Sequence, residues 1–546
     1  MSHKKQILAN CLLIILFLSP LTFAENITLD LYPSEQEIYD AYICGEIDFQ
    51  TYLNLSELLE DGVDSTDLYL LEEIPNINYF LESFMTDYTE LELEQFEMFI
   101  AGDTIEPKKT GFFRTRTYQE LEEEGDIKNF ITFESKLTEN WKADIRYSRD
   151  FDGDEKCSRR SLLYKSNDGQ LSRMVIGNFT ARFGLGLTVG YRGKILSKTE
   201  DSFENSFPFP DYGGFNGLYL EGGGRDDEIR MLLHYDRNNE FSLRAGAIDF
   251  ARKYEHLRLE AIVQGAIVKN RQDGSEYKHY QFGGFARYDR RSFDAAFEVA
   301  VPKDESSSVP TMLFEARIKG DPVSLQLSAW NYTDDFINLT GGGRAGSLYE
   351  TVEIDSIAFD FRDKRFDQKG FLVKNKTDLS MSVRHEFAFS AYGSDKYNNR
   401  IDLTNLLVFE VGENTKLRLG YRYARHEEPL EIKTKNEYRA ESRFVLGGFD
   451  FKSYIEYTDD LYDKKFLSCF VRARSDIIRF GRLDIWINFD KIDYDAGRLD
   501  YFYGYIDETL DINSNFEIGA KYSYRYSRSC SDRYVSQIML ETKVKW

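Results

Sequence analysis

Phe516-Glu517-Ile518-Gly519-Ala520-Lys521-Tyr522-Ser523-Tyr524-Arg525-Tyr526 is the stretch that decides how this chain reads. Phe516, Ile518, Ala520, Tyr522, Tyr524 and Tyr526 fall on one face of an extended backbone, and Glu517, Gly519, Lys521, Ser523 and Arg525 on the other. A side-chain period of two marks a strand with one apolar and one polar side. The same pattern lies upstream. Leu483, Ile485, Ile487 and Phe489 alternate with Arg482, Asp484, Trp486, Asn488 and Asp490; Leu417, Leu419, Tyr421 and Tyr423 alternate with Lys416, Arg418, Gly420 and Arg422. Such windows recur every 15 to 20 residues or so through most of residues 108–546. Asn167-Asp168-Gly169, Gly412-Glu413-Asn414 and Gly447-Gly448 are turn signals between them.

Composition narrows the architecture. The 546 residues include 36 Tyr, 42 Phe and 4 Trp but only 10 Pro, and mean hydropathy is −0.49. So many aromatics exclude an intrinsically disordered chain. The lack of repeated apolar runs of about 20 residues excludes a polytopic helical membrane protein. A soluble sandwich would have shorter strands and more Pro. Strands of about 9–11 residues, apolar on one face and charged on the other, match a transmembrane β-barrel with lipid outside and a polar lumen inside. That geometry also accounts for the negative mean hydropathy. The fold expected is mainly β, a large antiparallel barrel preceded by a small all-α domain. About 25 candidate strands follow from Phe112 onward, and single-chain barrels favour even numbers, so roughly 22–26 are expected. The parity fails near residues 332–351, around Gly341-Gly342-Gly343, where a further strand or an in-folded loop is expected. Arg418, Arg422, Lys521 and Arg525 are the candidate lumen-lining residues.

The first 24 residues read as an export signal. Lys4 and Lys5 precede the apolar run Ile7 to Leu18, and Leu21-Thr22-Phe23-Ala24 supplies a small-residue cleavage site, so the mature chain is expected to start at Glu25. At the other end, Tyr534, Ser536, Ile538, Leu540, Thr542, Val544 and Trp546 share one strand face. Leu540, Thr542, Val544 and Trp546 resemble the terminal strand read by the outer-membrane barrel-assembly machinery, although Phe is the commoner last residue. Signal and terminal strand together imply the outer membrane of a Gram-negative bacterium. If the last strand runs inward, Gly447-Gly448 and Ser475-Asp476-Ile477 are periplasmic turns, and residues 425–435 and 526–532 are longer outer loops. Beyond the signal, Cys44, Cys157, Cys469 and Cys530 form no CxxC pair; one long-range disulfide and four separate thiols both stay open.

Residues 25–107 have a different character. They contain 22 Asp or Glu and no Lys or Arg, in a chain whose formal net charge is −24. Ser34 with Glu37 has capping-box spacing, Asp48 can cap a second helix, and Gly45, Gly62 and Gly102 are stops. A periplasmic helical domain over residues 25–107 is expected, joined to a barrel over residues 108–546. Leu70-Leu71-Glu72-Glu73-Ile74-Pro75-Asn76-Ile77 resembles a helix-hairpin-helix motif, with Ile74, Pro75, Asn76 and Ile77 as its hairpin. Nucleic-acid-binding members of that family place glycines in the hairpin; Asn76 and Asn78 stand there instead. DNA affinity comes mostly from cations that neutralise phosphates, and a segment with none repels the backbone, so nucleic acid is not an expected partner.

No constellation of residues carries visible chemistry, so an enzyme is not expected, nor a cofactor or metal. His234, His256, His279, His385 and His426 are scattered, and His426-Glu427-Glu428 reads as a solvated outer loop. Asp152-Gly153-Asp154 lacks the remaining spacing of a calcium loop. The glycines of Phe183-Gly184-Leu185-Gly186-Leu187-Thr188-Val189-Gly190 read as a bend or close packing within a strand. Val175-Ile176-Gly177-Asn178-Phe179 and Arg182-Phe183-Gly184-Leu185-Gly186-Leu187 resemble the first barrel segment of uncharacterised bacterial outer-membrane β-barrel proteins that carry an N-terminal helix-hairpin-helix domain. Those often show Arg-Phe-Gly-Gln-Gly-Leu, from which Leu185 departs. The resemblance implies an architecture and no activity.

The function expected is a pore or transporter whose acidic helical domain plugs the lumen or docks to a partner, with residues 191–214, carrying Phe207-Pro208-Phe209-Pro210, as a candidate gate. An alternative is a non-transporting anchor or scaffold whose helical domain binds a periplasmic protein. A remote one is DNA handling at the outer membrane, suggested by the hairpin alone.

Overall fold

The computed structural model describes residues 111–546, apart from residues 191–207, 209–214, 334–367 and stretches of one to six residues between other strands. The expected export signal, the acidic segment 25–107 and the hairpin Ile74, Pro75, Asn76 and Ile77 lie outside the described residues.

The described chain is built of strands. The first eight are β1 (Gly111–Glu120), β2 (Ile127–Lys136), β3 (Trp141–Arg149), β4 (Glu155–Lys165), β5 (Leu171–Phe179), β6 (Phe215–Gly223), β7 (Asp227–Arg237) and β8 (Phe241–Tyr254). Then follow β9 (Leu257–Asn270), β10 (Glu276–Arg290), β11 (Phe293–Pro302), β12 (Thr311–Ile318), β13 (Val323–Asn331), β14 (Lys369–Ser380), β15 (Val383–Gly393) and β16 (Arg400–Glu410). The last eight are β17 (Thr415–Glu428), β18 (Glu431–Leu446), β19 (Phe449–Asp459), β20 (Lys465–Ser475), β21 (Gly481–Asp493), β22 (Arg498–Asn513), β23 (Phe516–Ser527) and β24 (Tyr534–Lys545).

Each strand pairs antiparallel with the next, and β1 pairs with β24 from Phe112↔Lys545 to Glu120↔Gln537. The sheet therefore closes into a 24-strand barrel with no free edge. Closure matters because lipid offers no partner to a bare strand edge. At the seam the Trp546 N–H donates to the Gly111 carbonyl at 3.0 Å. A Cβ on Gly111 would lie 2.9 Å from the Trp546 ring and 2.6 Å from the Glu134 carbonyl, so glycine is what lets the last aromatic lie over the first strand.

The 24 strands fall within the 22–26 expected and keep the even number. Residues 334–367, where the parity failed, lie outside the described residues; β13 pairs directly with β14 on either side of them. The expected outer loop at 425–435 is a correction: β17 and β18 run on through it, with His426↔Lys433 and Glu427↔Ile432 in register and residues 429–430 between the strands. Where both faces of a ladder are polar, period-two hydrophobicity disappears although the backbone pairing continues.

Connections at the end holding Gly111 and Trp546 are two to five residues long. One of them, Gly447-Gly448, has φ of 61° and 83°, the left-handed pair that a two-residue hairpin turn requires. The two longest connections, 180–214 and 332–368, join strand ends at the opposite end. This asymmetry is the one expected of short periplasmic turns and longer outer loops.

The two faces differ as the sequence pattern requires. Ile248, Phe250, Val263, Tyr280, Phe282 and Phe297 point outward and are exposed, while Asp249, Glu260, Gln264, Gln281 and Glu298, on the alternate positions, are buried inside. A closed sheet with an apolar outer band and a polar interior is the geometry that crosses a membrane with strands.

Candidate functional site: an in-folded loop on a charged lumen wall

After Phe179 the chain leaves the wall and turns into the barrel. The Phe183 N–H donates to the Val189 carbonyl, and the Gly186 N–H to the Phe183 carbonyl, both at 2.9 Å. Gly184 (φ 58°) and Gly186 (φ 87°) take the left-handed conformation that this tight reversal needs. Phe183 packs with Leu232, Ala247 and Ile262, while Leu185 and Leu187 pack with Phe285, Ala296, Ala300 and Leu313. These partners sit on the inward face of β7 to β12, so residues 180–190 lie within the lumen. The wall is hollowed to receive them. Ala247, Ala296, Ala300 and Gly283 are small residues among its inward positions, and a Cβ on Gly283 would come within 2.2 Å of the Thr188 hydroxyl oxygen.

Polar latches hold the loop. Glu298 on β11 is 0% exposed. Its Oε2 accepts the backbone N–H groups of Leu185 (2.7 Å) and Leu187 (3.1 Å). Its Oε1 accepts the N–H (2.9 Å) and hydroxyl (3.0 Å) of Thr188. Four donors can replace the water that a buried carboxylate loses. The second latch is ionic. Glu260 accepts the Gly184 N–H at 2.9 Å and pairs with Arg230 at 2.7 Å. Arg230 also donates to Asp249 (2.7 Å) and to the Arg182 carbonyl (3.2 Å), and its guanidinium lies 4.7 Å from the centre of the Phe183 ring. Arg258 joins Glu260 to Glu228, so the charges along β7, β8 and β9 are compensated in a chain.

Two sequence expectations change here. Val175–Phe179 belongs to β5, with four strands before it, rather than to a first barrel segment. The glycine-rich stretch is a loop inside the barrel rather than a kinked strand, because Gly184 and Gly186 reverse the chain. Glu298, Glu260, Arg230 and Gly283 escaped the sequence reading. A signal existed: in register, Glu298 sits between Phe285 and Leu313, a lone acid in an apolar row.

The candidate lumen residues lie on the inward face. Arg418 pairs with Glu441 at 3.1 Å, and Arg422 with Glu437 at 3.4 Å and Asp402 at 3.7 Å. Lys521, 4% exposed, faces Asp507 in register, its ammonium 5.5 Å from the Tyr505 ring centre. Arg525 faces Tyr503. A recess near the short-turn end is lined by Lys416, Arg418, Arg443, Lys452, Arg472 and Arg474, with Glu441 and Asp450 as its carboxylates. Beside it Tyr454, Phe470, Trp486 and Tyr505 form a continuous inward aromatic row, with successive ring centres 5.2, 4.5 and 5.6 Å apart.

The remaining candidates are spread out. Leu540, Val544 and Trp546 are exposed on the outer face of β24, and Thr542 shares that face half-buried. Pro208 is the described residue of the candidate gate; its carbonyl accepts from Arg160 (3.0 Å) and Asn216 (3.1 Å). Cys157 and Cys469 are buried in the wall, and Cys44 and Cys530 lie outside the described residues. Among the described residues, no three His, Cys, Asp or Glu side chains group as metal ligands. Asn216 donates its N–H to His234 Nδ1 at 2.9 Å, and His385 lies 3.4 Å from Asn405.

The described chain is thus a large closed β-barrel with an occupied lumen. No protein-family model and no characterised protein sequence matches it. Among solved structures it is similar to the ferric enterobactin receptor PfeA of Pseudomonas aeruginosa, at 9% identity and a TM-score of 0.44 over 80% of this chain and 81% of that one. It is similar also to the siderophore receptor PirA of Pseudomonas aeruginosa, at 8% identity and a TM-score of 0.43 over 81% of each chain. A third is the P pilus usher PapC translocation pore, at 9% identity and a TM-score of 0.37 over 80% of this chain and 99% of that one. At these scores the likeness assigns neither cargo nor mechanism.

Proposed function

We propose that this chain is an outer-membrane pore or transporter whose lumen is narrowed by residues 180–190. The observation that carries the reading is the latch on Glu298: four donors from one loop converge on a single buried carboxylate of the lumen wall. A barrel serving only as an anchor has no need of a loop held across its interior. The inward ion pairs around Arg418 and Arg422 give the remaining wall a polar lining for water and solutes. Outward Leu540, Val544 and Trp546 provide the face that the barrel-assembly machinery reads and that lipid then covers. The acidic segment 25–107 acts on the periplasmic side as a plug or as a docking element for a periplasmic protein. No reaction is assigned.

The test is conductance of the refolded mature protein in a planar bilayer. Stable steps are expected, with larger steps in Glu298→Gln because the loop is released. Silence from both proteins, each shown to be folded, would sink the pore reading and leave an anchor or scaffold.

A further inference from the structure

Gln264 on β9 and Gln281 on β10 stand opposite each other in register, both on the inward side of the wall. They are 1% and 0% exposed. Among the described residues, neither the Oε1 nor the Nε2 of either amide has a hydrogen-bond partner. Opposed residues of an antiparallel pair have Cβ atoms about 5 Å apart, so the two amides form one cluster. The Thr311 hydroxyl, inward on β12, is likewise buried and without a partner among the described residues. Buried amides are ordinarily satisfied, because losing water without gaining a partner is costly. Two adjacent amides in that state point to a partner from outside the wall.

The surroundings select the kind of partner. The inward positions from Leu243 to Ala247, from Ile262 to Val268 and from Tyr277 to Gly283 carry no Asp, Glu, Lys or Arg. Glu298 on β11 is taken up by the loop. A charged solute would meet no counter-charge here and would lose its water. A carboxamide offers an acceptor and two donors, which suits hydroxyl groups because each of them both donates and accepts. Ala247, Ala266 and Gly283 flank the pair and leave space and methyl surface for C–H groups. The pair also borders the in-folded loop, on the side toward the connection 271–275. Ala247, in register with Gln264, packs in one cluster with Phe183, and Thr188 rests on Gly283, one inward step from Gln281.

We propose that Gln264 and Gln281 form a subsite for an uncharged, polyhydroxylated solute, a sugar or polyol, at the outer edge of the constriction. The inference rests on the pore reading above and deepens it by naming the class of solute. With the loop seated, the amides are closed off from water. The solute reaches them when the loop lifts, and its hydroxyls supply the partners. Because it binds the lifted arrangement alone, it also favours opening.

Glucose and gluconate, close in size and different in charge, are the probes, with binding to the full chain in nanodiscs read by saturation-transfer NMR. Glu298→Gln, with its loop freed, is expected to bind glucose at roughly millimolar concentration and gluconate about tenfold more weakly. Adding Gln264→Leu/Gln281→Leu should weaken glucose binding about tenfold, the worth of one or two hydrogen bonds. The unfolding temperature should hold or rise, since leucine leaves no amide unsatisfied. Gln264→Asn/Gln281→Asn draws the amides back without crowding the wall and should weaken glucose binding similarly. Unchanged glucose affinity in both variants overturns the subsite. So does a lowered unfolding temperature in both, which would make the amides part of the wall's own structure. Gluconate binding as tight as glucose overturns it too, as does no glucose binding by Glu298→Gln, which would leave the pair to ordered water. Conductance of the same samples separates the two readings. Glucose binding without conductance keeps the subsite and sinks the pore; conductance without glucose binding sinks the subsite alone.

Discussion

Glu298 shows how much one side chain can decide. Its two oxygens take four donors from a loop about 110 residues away in sequence. An amide in its place keeps one acceptor oxygen and turns an NH₂ group toward backbone N–H groups. Unsatisfied buried donors cost about 1–3 kcal/mol each. Glu298→Gln should therefore free the loop while the wall strands, which pair through their backbones, persist. Leu185 is buried against that wall, so a cysteine at Leu185 should resist a membrane-impermeant maleimide in the parent and label in the Glu298→Gln background. Gly283→Val should have the same effect by another route, because even a Cβ meets the Thr188 hydroxyl at 2.2 Å. Equal labelling in all three proteins would show that the latch does not hold the loop. The charge of Glu298 was plain in the sequence. Its role was not, because its donors are backbone groups that only the loop's path brings to it.

Strands carry the next scale. β23 follows its alternation closely: Ile518 and Tyr522 face outward and Lys521 and Ser523 inward. β17 and β18 outrun theirs, since a ladder needs no apolar face once it leaves lipid. The seam between β1 and β24 depends on Gly111. A valine there collides with the Glu134 carbonyl as well as with the Trp546 ring. Gly111→Val should lower the fraction of chains that close, seen as loss of the compact, heat-modifiable band on electrophoresis. Trp546→Ala removes the ring without adding a clash and should cost less. A Gly111→Val barrel that closes as efficiently as the parent contradicts this account of the seam.

At the scale of the whole barrel, the interior is unequal. The sector from β7 to β12 carries the in-folded loop, whereas β17 to β23 carries the cation-rich recess and the aromatic row. Hydrogen exchange should reflect this. Amides of Leu185, Leu187 and Thr188 should exchange as slowly as the wall in the parent, and rapidly in Glu298→Gln with β7 to β12 still protected. Loss of protection throughout the barrel would mean that the loop is part of the barrel's stability rather than a separable element. By itself the sequence determined the strands and their two faces, because period two is a local property of an extended backbone. It placed Arg418, Arg422, Lys521 and Arg525 inward for the same reason. The strand number, the closing register, the continuation of β17 and β18, and the loop on Glu298 were decided only in the tertiary structure. Each depends on residues far apart in the chain meeting across a closed sheet, and no local periodicity encodes that.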